Sequence, residues 1–309
     1  MKSTKLPLFP KLSFLEPHHQ VEINKLIESN HLYSDYNFIS LWSWDHQRQL
    51  QLCTLNNNLV IRFQEYLDTS DFFYSFIGTN EVDKTAKELI LHSSKENKPA
   101  LKLIPEFVIE NLKNPLDFTI TEDRDNFDYI LAARDTIELK GHSASKRRNF
   151  NKIMREKSED INVQEMDIGA GETYEHILEL FDNWSKQVSN NDEYKNNELK
   201  AIKKLLDQSK SINTENLHVI GLFVEGKFNA FSISEVLQNG TAMGHFKKAA
   251  RDYTGLGIAL DYFTAKTLEQ KGVSHINHEQ DMGIEGLRHA KMSSNPVYFL
   301  KKFTLSLAS

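Results

Sequence analysis

Cysteine is almost absent from this sequence, and long apolar runs are missing. The single cysteine, Cys53, excludes an intrachain disulfide and a multi-cysteine metal site, which is typical of a reducing compartment. Its alternating context, QLQLCTL, predicts a buried thiol in a strand. No segment approaches the ~20 apolar residues that would cross a bilayer. Because Pro7, Pro10 and Pro17 also interrupt the N-terminal segment, we expect a cytoplasmic protein without a signal peptide or a transmembrane segment.

The motifs of several enzyme classes are missing as well. There is no Gly-x-Ser-x-Gly turn, no Gly-Lys-Ser/Thr phosphate loop and no His-Glu-x-x-His helix, so nothing supports a nucleophilic or NTPase mechanism. His275, His278 and Glu279 do not offer three ligands in a convincing geometry, and we predict no metal. The formal net charge of −6 excludes a general positive field, although a local basic patch remains compatible with it.

The patterns that are present predict an α+β protein with mixed α/β sheets. A chain of 309 residues, 39% hydrophobic and 26% charged, is ordinary for a globular protein and long enough for two domains. Strand-like runs meet at Asn56-Asn57-Asn58 and at Glu225-Gly226, which predicts two hairpins. Both halves show a similar order of helices, hairpins and strands, so we predict domains at 1–138 and 139–309. Other predicted strands are Thr136–Leu139 and Val297–Phe303.

A basic helix is predicted within residues 140–157, which hold seven Lys or Arg residues and one acid. Ser143 is a suitable N-cap for it. At helical spacing its two faces differ: Phe150, Ile153 and Met154 lie on the apolar face, and Arg148, Lys152 and Arg155 on the opposite one. The basic face is either the solvated side of a docked helix or a phosphate-binding strip. Such a strip would suit RNA, a nucleotide cofactor or a lipid headgroup.

Gly255 and Gly257 lie between a predicted strand and a long predicted helix. Glycines at such a turn allow backbone N–H groups to approach a pyrophosphate at the helix N-terminus. The run resembles the coenzyme A loop of the GNAT acetyltransferases, but Asp252 stands where that loop has Gln or Arg. An ordinary strand-to-helix turn explains the same residues.

The segment His275–Pro296 is unusually rich in charge. A helix beginning at Gly283 would place Asp281, Glu285 and Arg288 on one face, with Lys291 further round it. A plainer interpretation makes Asp281 an N-cap and the other two a surface ion pair.

Three segments together resemble the soluble proteins related to the C-terminal domain of bacterial phosphatidylglycerol lysyltransferase. They are Tyr33-Ser34-Asp35-Tyr36-Asn37-Phe38 with Leu41-Trp42, Lys146-Arg147-Arg148-Asn149 with Asn151, and Asn277 to Lys291 followed by Asn295-Pro296. The resemblance implies two tandem GNAT-like domains, similar to the Fem-type peptidyltransferases. The first half has few clustered ionisable groups, so we expect it to be a degenerate copy. In membrane relatives this module moves an amino acid from aminoacyl-tRNA to a lipid headgroup. The resemblance supports Lys248 but not Lys247, where the family is expected to have an acid.

The leading hypothesis is therefore an acyl- or aminoacyltransferase. Its donor would be aminoacyl-tRNA or an acyl-coenzyme A, its acceptor a small amine, a hydroxyl or a lipid headgroup, and no cofactor would be tightly bound. The predicted catalytic residues are Asp281 and Glu279, as orienting or proton-accepting carboxylates, with Arg288, Lys291 and Lys248 as charge stabilisers or phosphate binders. The predicted residues for the tRNA acceptor end or another phosphate-bearing donor are Arg147, Arg148, Lys152, Arg155, Gly255 and Gly257. The alternatives are an acetyl-coenzyme A-dependent GNAT enzyme acting on a small amine, and a non-catalytic binding module on a degenerate transferase fold.

Overall fold

The computed structural model of the chain describes residues 5–27, 32–64, 71–188 and 192–308. The chain divides into two compact units, each built from more than one segment. The first unit comprises Met1–Asp128, Gln280–Ile284 and Leu300–Ser309. The second comprises Tyr129–Glu279 and Glu285–Phe299.

Seven strands form the first sheet, and the last described strand of the chain lies inside it. In spatial order they are β1 (Ser13–Phe14), β2 (Gln51–Leu55), β3 (Asn58–Gln64), β4 (Phe72–Ile77), β5 (Ala100–Pro105), β14 (Lys302–Leu307) and β6 (Phe118–Glu122). β4 and β5 are parallel, whereas β14 is antiparallel to both of its neighbours. The predicted hairpin between β2 and β3 is confirmed: Asn56 and Asn57 adopt φ of 51° and 61°, as a tight two-residue turn requires.

The second sheet has the same strand order, position by position. In the corresponding direction its strands are β8 (Ile161–Met166), β9 (Leu217–Val224), β10 (Lys227–Val236), β11 (Thr241–Ala249), β12 (His275–Asn277), β7 (Asp128–Ala132) and β13 (Tyr298–Leu300). Here too the fourth and fifth strands, β11 and β12, are parallel. The predicted α+β class with mixed sheets is confirmed.

The helices that the structure describes lie between these strands. They are α1 (Gln20–Leu26), α2 (Phe38–Trp44), α3 (Val82–Ser94), α4 (Glu106–Glu110), α5 (Ala133–Ile137), α6 (Ala144–Lys157), α7 (Gly171–Lys186), α8 (Asp192–Asp207), α9 (Leu256–Gln270) and α10 (Glu285–Met292). Ser143 caps α6 as predicted, since its side chain accepts from the Lys146 N–H at 3.2 Å. None of these helices is long and apolar enough to span a bilayer.

Two predicted strands near the ends of the halves are wrong. Of the predicted strand Thr136–Leu139, the first two residues end helix α5 and the other two lie in the turn after it. The Thr136 hydroxyl donates to the Ala132 carbonyl one helical turn earlier, at 3.1 Å. A short apolar run does not distinguish a strand from a buried helical turn by its period. Val297–Phe303 is not one strand, because it is divided between β13 and β14, which lie in different sheets.

The two sheets exchange strands along the chain. β7 precedes residue 139 but pairs with β12 in the second sheet, whereas β14, near the end of the chain, pairs within the first. In both sheets the exchanged strand occupies the sixth position. The domain boundary between residues 138 and 139 stays a prediction. The structure shows in addition that β7 pairs in the second sheet and β14 in the first.

Each sheet carries a helix that connects its two parallel strands. α3 buries Ala86, Leu89 and Ile90, spaced as one helical face, in the core of the first unit. In the second unit α9 buries Ala265 and Leu268 in a core shared with strands β11 and β12. A long helix between parallel strands is the usual crossover connection.

Tyr36 fills the gap between the parallel strands of the first sheet. Its fully buried hydroxyl lies 3.0 Å from the carbonyl oxygen of Phe76 on β4 and 3.1 Å from that of Leu103 on β5. The Ser75 hydroxyl is 2.5 Å away. The Tyr36 hydroxyl thus contacts backbone carbonyl groups of both β4 and β5, which pair with each other only at Tyr74 and Leu101.

Replacing Tyr36 with phenylalanine is expected to lower the free energy of unfolding by about 1–3 kcal/mol. The ring is kept, so the loss reports the buried carbonyl groups that no longer face a hydroxyl. Urea unfolding measures it. The matched control is Tyr298→Phe, since Tyr298 is 41% exposed. A Tyr36→Phe variant as stable as this control would contradict the role.

A second buried polar group of the first unit centres on Lys302 of β14. Its ammonium group pairs with Asp35 and, at 2.8 Å, with Asp128. The Ser34 hydroxyl donates to Asp128 at 2.7 Å, and the side-chain amide of Gln280 donates to Asp35 at 3.2 Å. Burial lowers the pKa of Lys302, but the two aspartates outweigh burial and raise it. Motif residues from both ends of the chain therefore meet in the core of the first unit.

Candidate functional site

The parallel strands of the second sheet part, as those of the first sheet do. β11 follows β12 for three residue pairs and then continues to Ala249, whereas β12 ends at Asn277. The register between β11 and β10 shifts at this level, which leaves His245 as the extra residue of a β-bulge. Bulges are frequent next to active sites because they redirect side chains. In the first sheet Tyr36 occupies the gap, whereas ionisable side chains lie beside the gap in the second.

Five of these side chains form what we call the splay cluster: Lys146 of α6, Lys247 of β11, Asp261 of α9, His278 and Lys291 of α10. The Lys247 ammonium donates to Asp261 at 2.6 Å, and the Lys291 ammonium donates to the His278 carbonyl at 2.6 Å. The charges of the three lysines and of Asp261 all act on the His278 ring. Three ammonium groups thus accompany one carboxylate, which makes the cluster positive in a chain of net charge −6.

The protonation of the splay cluster follows from burial and neighbouring charge. Burial first, and then the ammonium groups of Lys247, Lys291 and Lys146, lower the pKa of His278 to about 3, while Asp261 opposes them. For Asp261, burial would raise the pKa, but Lys247 and the other positive groups outweigh it and lower the pKa. At neutral pH the ring is therefore an uncharged hydrogen-bonding group beside an ionised carboxylate.

Next to this cluster, three further groups form what we call the buried charge chain. The His245 ring lies between Glu235 of β10 and Glu279, with Nε2 and Nδ1 each 3.5 Å from a carboxylate oxygen. Its side chain is 1% exposed, and those of Glu235 and Glu279 are 11% and 16% exposed. Burial lowers the pKa of His245, but the two carboxylates outweigh burial and raise it to about 9. The ring is a cation at neutral pH.

The basic residues predicted on α6 are brought together on one exposed surface. Arg147, Arg148, Lys152 and Arg155 line a concave pocket of about 540 Å³ with Ala144 and Asn151. On the other side of the helix Ile153 is buried, and the Phe150 ring packs 5.1 Å from that of Tyr262. The predicted division of the helix into two faces is confirmed. Whether the strip binds phosphate stays a prediction.

The two glycines stand at the start of α9, as the sequence predicts. Gly255 caps this helix with φ of 98°, and a Cβ there would lie 2.3 Å from the Asn149 carbonyl oxygen of α6. Close helix packing is thus a sufficient reason for glycine at this position. Gly257 shows no comparable approach: a Cβ there would meet only Ala249, at 3.9 Å. A pyrophosphate-binding role for either glycine stays a prediction.

The two adjacent lysines of β11 point to opposite sides of the sheet, as neighbours in a strand do. Lys247 belongs to the splay cluster. Lys248 instead pairs with the buried carboxylate of Glu198 at 2.5 Å, with its ammonium 4.6 Å from the centre of the Trp184 ring. Lys247, rather than Lys248, therefore shares the neighbourhood of His278 with the predicted residue Lys291.

Asp281 and Arg288 do not share a helix face, because α10 begins at Glu285 and not at Gly283. Met282 and Gly283 adopt φ of 51° and 71°, which keeps them out of a right-handed helix. Asp281 is fully buried in the first unit, where its carboxylate accepts from the Gly283 N–H at 2.9 Å and lies 3.4 Å from Arg124. Arg288 is half-buried on α10 in the second unit. Catalytic roles for both stay predictions.

Sequence reasoning missed His245, Asp261 and Lys146 as site residues, set Lys247 aside and weighed His278 only as a weak metal ligand. Asp261 carried a usable signal, since it is a single carboxylate in the apolar first turns of α9. His245 had no such sequence signal, because its position depends on a β-bulge that the local sequence does not predict. The described residues contain no group of three or more His, Cys, Asp or Glu side chains that could hold a metal ion.

The fold is shared with solved structures. A conserved protein of unknown function from Bacteroides thetaiotaomicron is 24% identical, with a TM-score of 0.80 over 96% of this chain and 99% of its own. The L-PGS structure from Bacillus licheniformis is 13% identical, with a TM-score of 0.60 over 96% and 93%. FemX is 10% identical, with a TM-score of 0.55 over 95% and 96%. The predicted fold class, with two mixed sheets of seven strands each, is shared with these structures.

Sequence comparison identifies the family. None of the curated proteins compared with this sequence matches it. The family profile described as phosphatidylglycerol lysyltransferase, C-terminal, matches residues 28–306, which confirms the resemblance of the three motif segments. Family and fold together indicate an acyltransferase-like domain related to known transferases. The chain belongs to the phosphatidylglycerol lysyltransferase C-terminal family.

Proposed function

We propose that this protein transfers an aminoacyl or acyl group from an activated ester, with aminoacyl-tRNA the favoured donor, to an amine or hydroxyl. A lipid headgroup is the favoured acceptor, because the family description names phosphatidylglycerol and lysyl transfer for its members. The observation that carries the proposal is the splay cluster, an excess of ammonium groups at parted parallel strands next to the carboxylate of Glu279.

The reaction that suits these groups is attack of the acceptor on the ester carbonyl. A new bond forms between the acceptor's nitrogen or oxygen and the carbonyl carbon, and the bond to the donor's hydroxyl oxygen breaks. The acceptor's proton passes by way of the Glu279 carboxylate to that leaving oxygen. The ammonium groups of Lys247 and Lys291 stabilise the negative charge that develops on the carbonyl oxygen.

The α6 strip supplies the donor's phosphate contacts in this proposal. Arg148 and Arg155 are seven positions apart, so their Cα atoms are separated by about 10 Å along the helix axis. Guanidinium groups at this spacing suit two separate phosphates of a nucleic-acid end better than a single small anion. The roles predicted for Asp281, Arg288 and Lys248 stay part of the hypothesis to be tested.

Lys247→Met and Lys291→Met are each expected to lower kcat about 10- to 100-fold, because each removes one charge that faces the developing oxyanion. The assay uses tRNA charged with labelled amino acids, and label is counted in extracted phosphatidylglycerol vesicles and, separately, on ethanolamine. Lys266→Met is the control, since Lys266 lies exposed on α9. Cluster variants as active as the control would contradict the assigned roles, and an inactive wild type would contradict the proposed function.

The donor is tested in the same preparation by thermal shift. A ligand that binds only the folded protein raises the unfolding temperature by mass action. We expect charged tRNA to do so with strong salt dependence. Coenzyme A should have little effect, because α6 packs against the start of α9 and Asp252 stands nearby. Stabilisation by coenzyme A alone would support the acetyltransferase alternative, and donor binding without transfer would support the non-catalytic one.

A further inference from the structure

Packing alone does not explain why the three side chains of the buried charge chain follow one another in this order. Its members come from three neighbouring strand positions: Glu235 on β10, His245 on β11 and Glu279 just after β12. A buried imidazolium and its two carboxylates together carry a net charge of −1. Burying such charge costs free energy unless the charges are well paired. Glu279 is the member most accessible to solvent. The buried charge chain therefore extends from the interior of the sheet to the gap between β11 and β12.

The backbone at Glu279 is held in a conformation that a glutamate rarely adopts. Its φ is 58°, in the left-handed region. Two contacts fix the peptide: the Glu279 N–H donates to the Asn277 side chain at 2.6 Å, and the Tyr129 N–H donates to the Glu279 carbonyl at 3.3 Å. Residues in this region persist only where their surroundings hold them, and they cluster at functional sites. The geometry thus fixes both the backbone and the carboxylate of Glu279.

We infer that His245 is a positioning residue, whose imidazolium fixes the Glu279 carboxylate at the gap so that it can orient the acceptor and receive its proton. This inference rests on the proposed function, since it names the residue that prepares the proton-accepting group. Glu235 acts from the other side of the ring and stabilises its charge. His245 itself contacts neither donor nor acceptor.

Such an arrangement makes transfer depend on pH. The titratable groups that act on the ring are Glu235 from β10 and Glu279 from the segment after β12. When the ring loses its proton, its attraction for Glu279 is lost, and the carboxylate is no longer held in one orientation. Transfer should therefore fall as pH rises through about 9, the pKa of His245.

The test compares His245→Gln, Glu235→Gln and a matched control in steady-state transfer from pH 6.5 to 10, with the charged tRNA and phosphatidylglycerol vesicles described above. Enzyme-free deacylation is subtracted at every pH. His218→Gln is the control, because His218 pairs with Glu165 at 2.5 Å in the same sheet, away from the parted strands. Circular dichroism at each pH confirms that the variants are folded.

We expect His245→Gln to lower kcat at pH 7 about 10- to 100-fold, with KM for tRNA unchanged, and to abolish the decline at high pH. Glu235→Gln should move that decline to lower pH by about 1 unit or more, since the ring loses one stabilising carboxylate. His218→Gln should behave as the wild type.

Two results would overturn the inference, and they are distinguishable. An active wild type whose His245→Gln variant keeps the wild-type kcat and pH profile contradicts the positioning role alone. A wild type inactive at every pH contradicts the proposed function and this role with it. If His245→Gln does not fold, the Glu235→Gln profile decides, because that variant keeps the histidine.

Discussion

Replacing Lys302 with methionine is expected to lower the free energy of unfolding by about 3–5 kcal/mol. Lys302 is fully buried, and its ammonium group is the cation between the carboxylates of Asp35 and Asp128. Methionine has a similar length, so the loss reports charge rather than volume. Without the ammonium group, two carboxylates would face each other in the interior, and no attraction would offset the free-energy cost of their desolvation. A loss of this size is a large part of the stability of an ordinary domain.

Urea unfolding followed by tryptophan fluorescence measures this effect. Trp42 and Trp44 report on the first unit and Trp184 on the second, so the transition that shifts can be assigned. Lys301→Met is the control: the adjacent Lys301 is 40% exposed and pairs with surface carboxylates, so its loss should change stability by less than about 0.5 kcal/mol. Equal stabilities of the two variants would show that the buried network contributes nothing specific.

The stability of the wild type is expected to fall by roughly 3 kcal/mol between pH 6.5 and 9 through His245 alone. The pKa of His245 is raised from 6.5 to about 9 in the folded protein. A raised pKa means that the folded state binds the proton more tightly than the unfolded state. This contribution is therefore complete below pH 6.5 and is lost as pH rises through about 9.

Unfolding free energies measured at several pH values in wild type and His245→Gln test this expectation. Glutamine also changes the packing, but this effect on the unfolding free energy is the same at every pH. The informative quantity is therefore the difference between the two proteins in the slope of unfolding free energy against pH. We expect the variant to lack the decline above pH 6.5 that His245 causes. His218→Gln serves again as the control. Parallel curves for wild type and His245→Gln would show that the ring is not a buried cation.

Several features followed from local sequence. The α6 faces were predictable because residues three and four apart lie on one side of a helix, and Ser143 caps it because its side chain reaches the third N–H. The Asn56-Asn57 turn was predictable because asparagine tolerates positive φ. The resemblance to the family also came from sequence, since its motif segments extend over nearly the whole chain.

The motif segments indicated the family, but not what most of their residues do. Ser34, Asp35 and Gln280 belong to the buried network around Lys302, a residue outside those segments. Tyr36 occupies the gap of the first sheet. That the first half is a degenerate copy stays a prediction. Motif residues can therefore be structural, and three residues of the candidate site, His245, Lys247 and Asp261, lie outside the motifs.

The sequence by itself determined what depends on near neighbours: helix faces, caps, tight turns and membership of the family. The tertiary structure alone decided which distant groups meet. The contact between Lys302 and Ser34 joins residues 268 positions apart, and the exchange of β7 and β14 sets the sixth strand of each sheet. Periodicity carries no information at such separations, because ion pairs and strand order are chosen by the packing of the whole chain. For the same reason the splay cluster and the buried charge chain became visible only once the strands were in place.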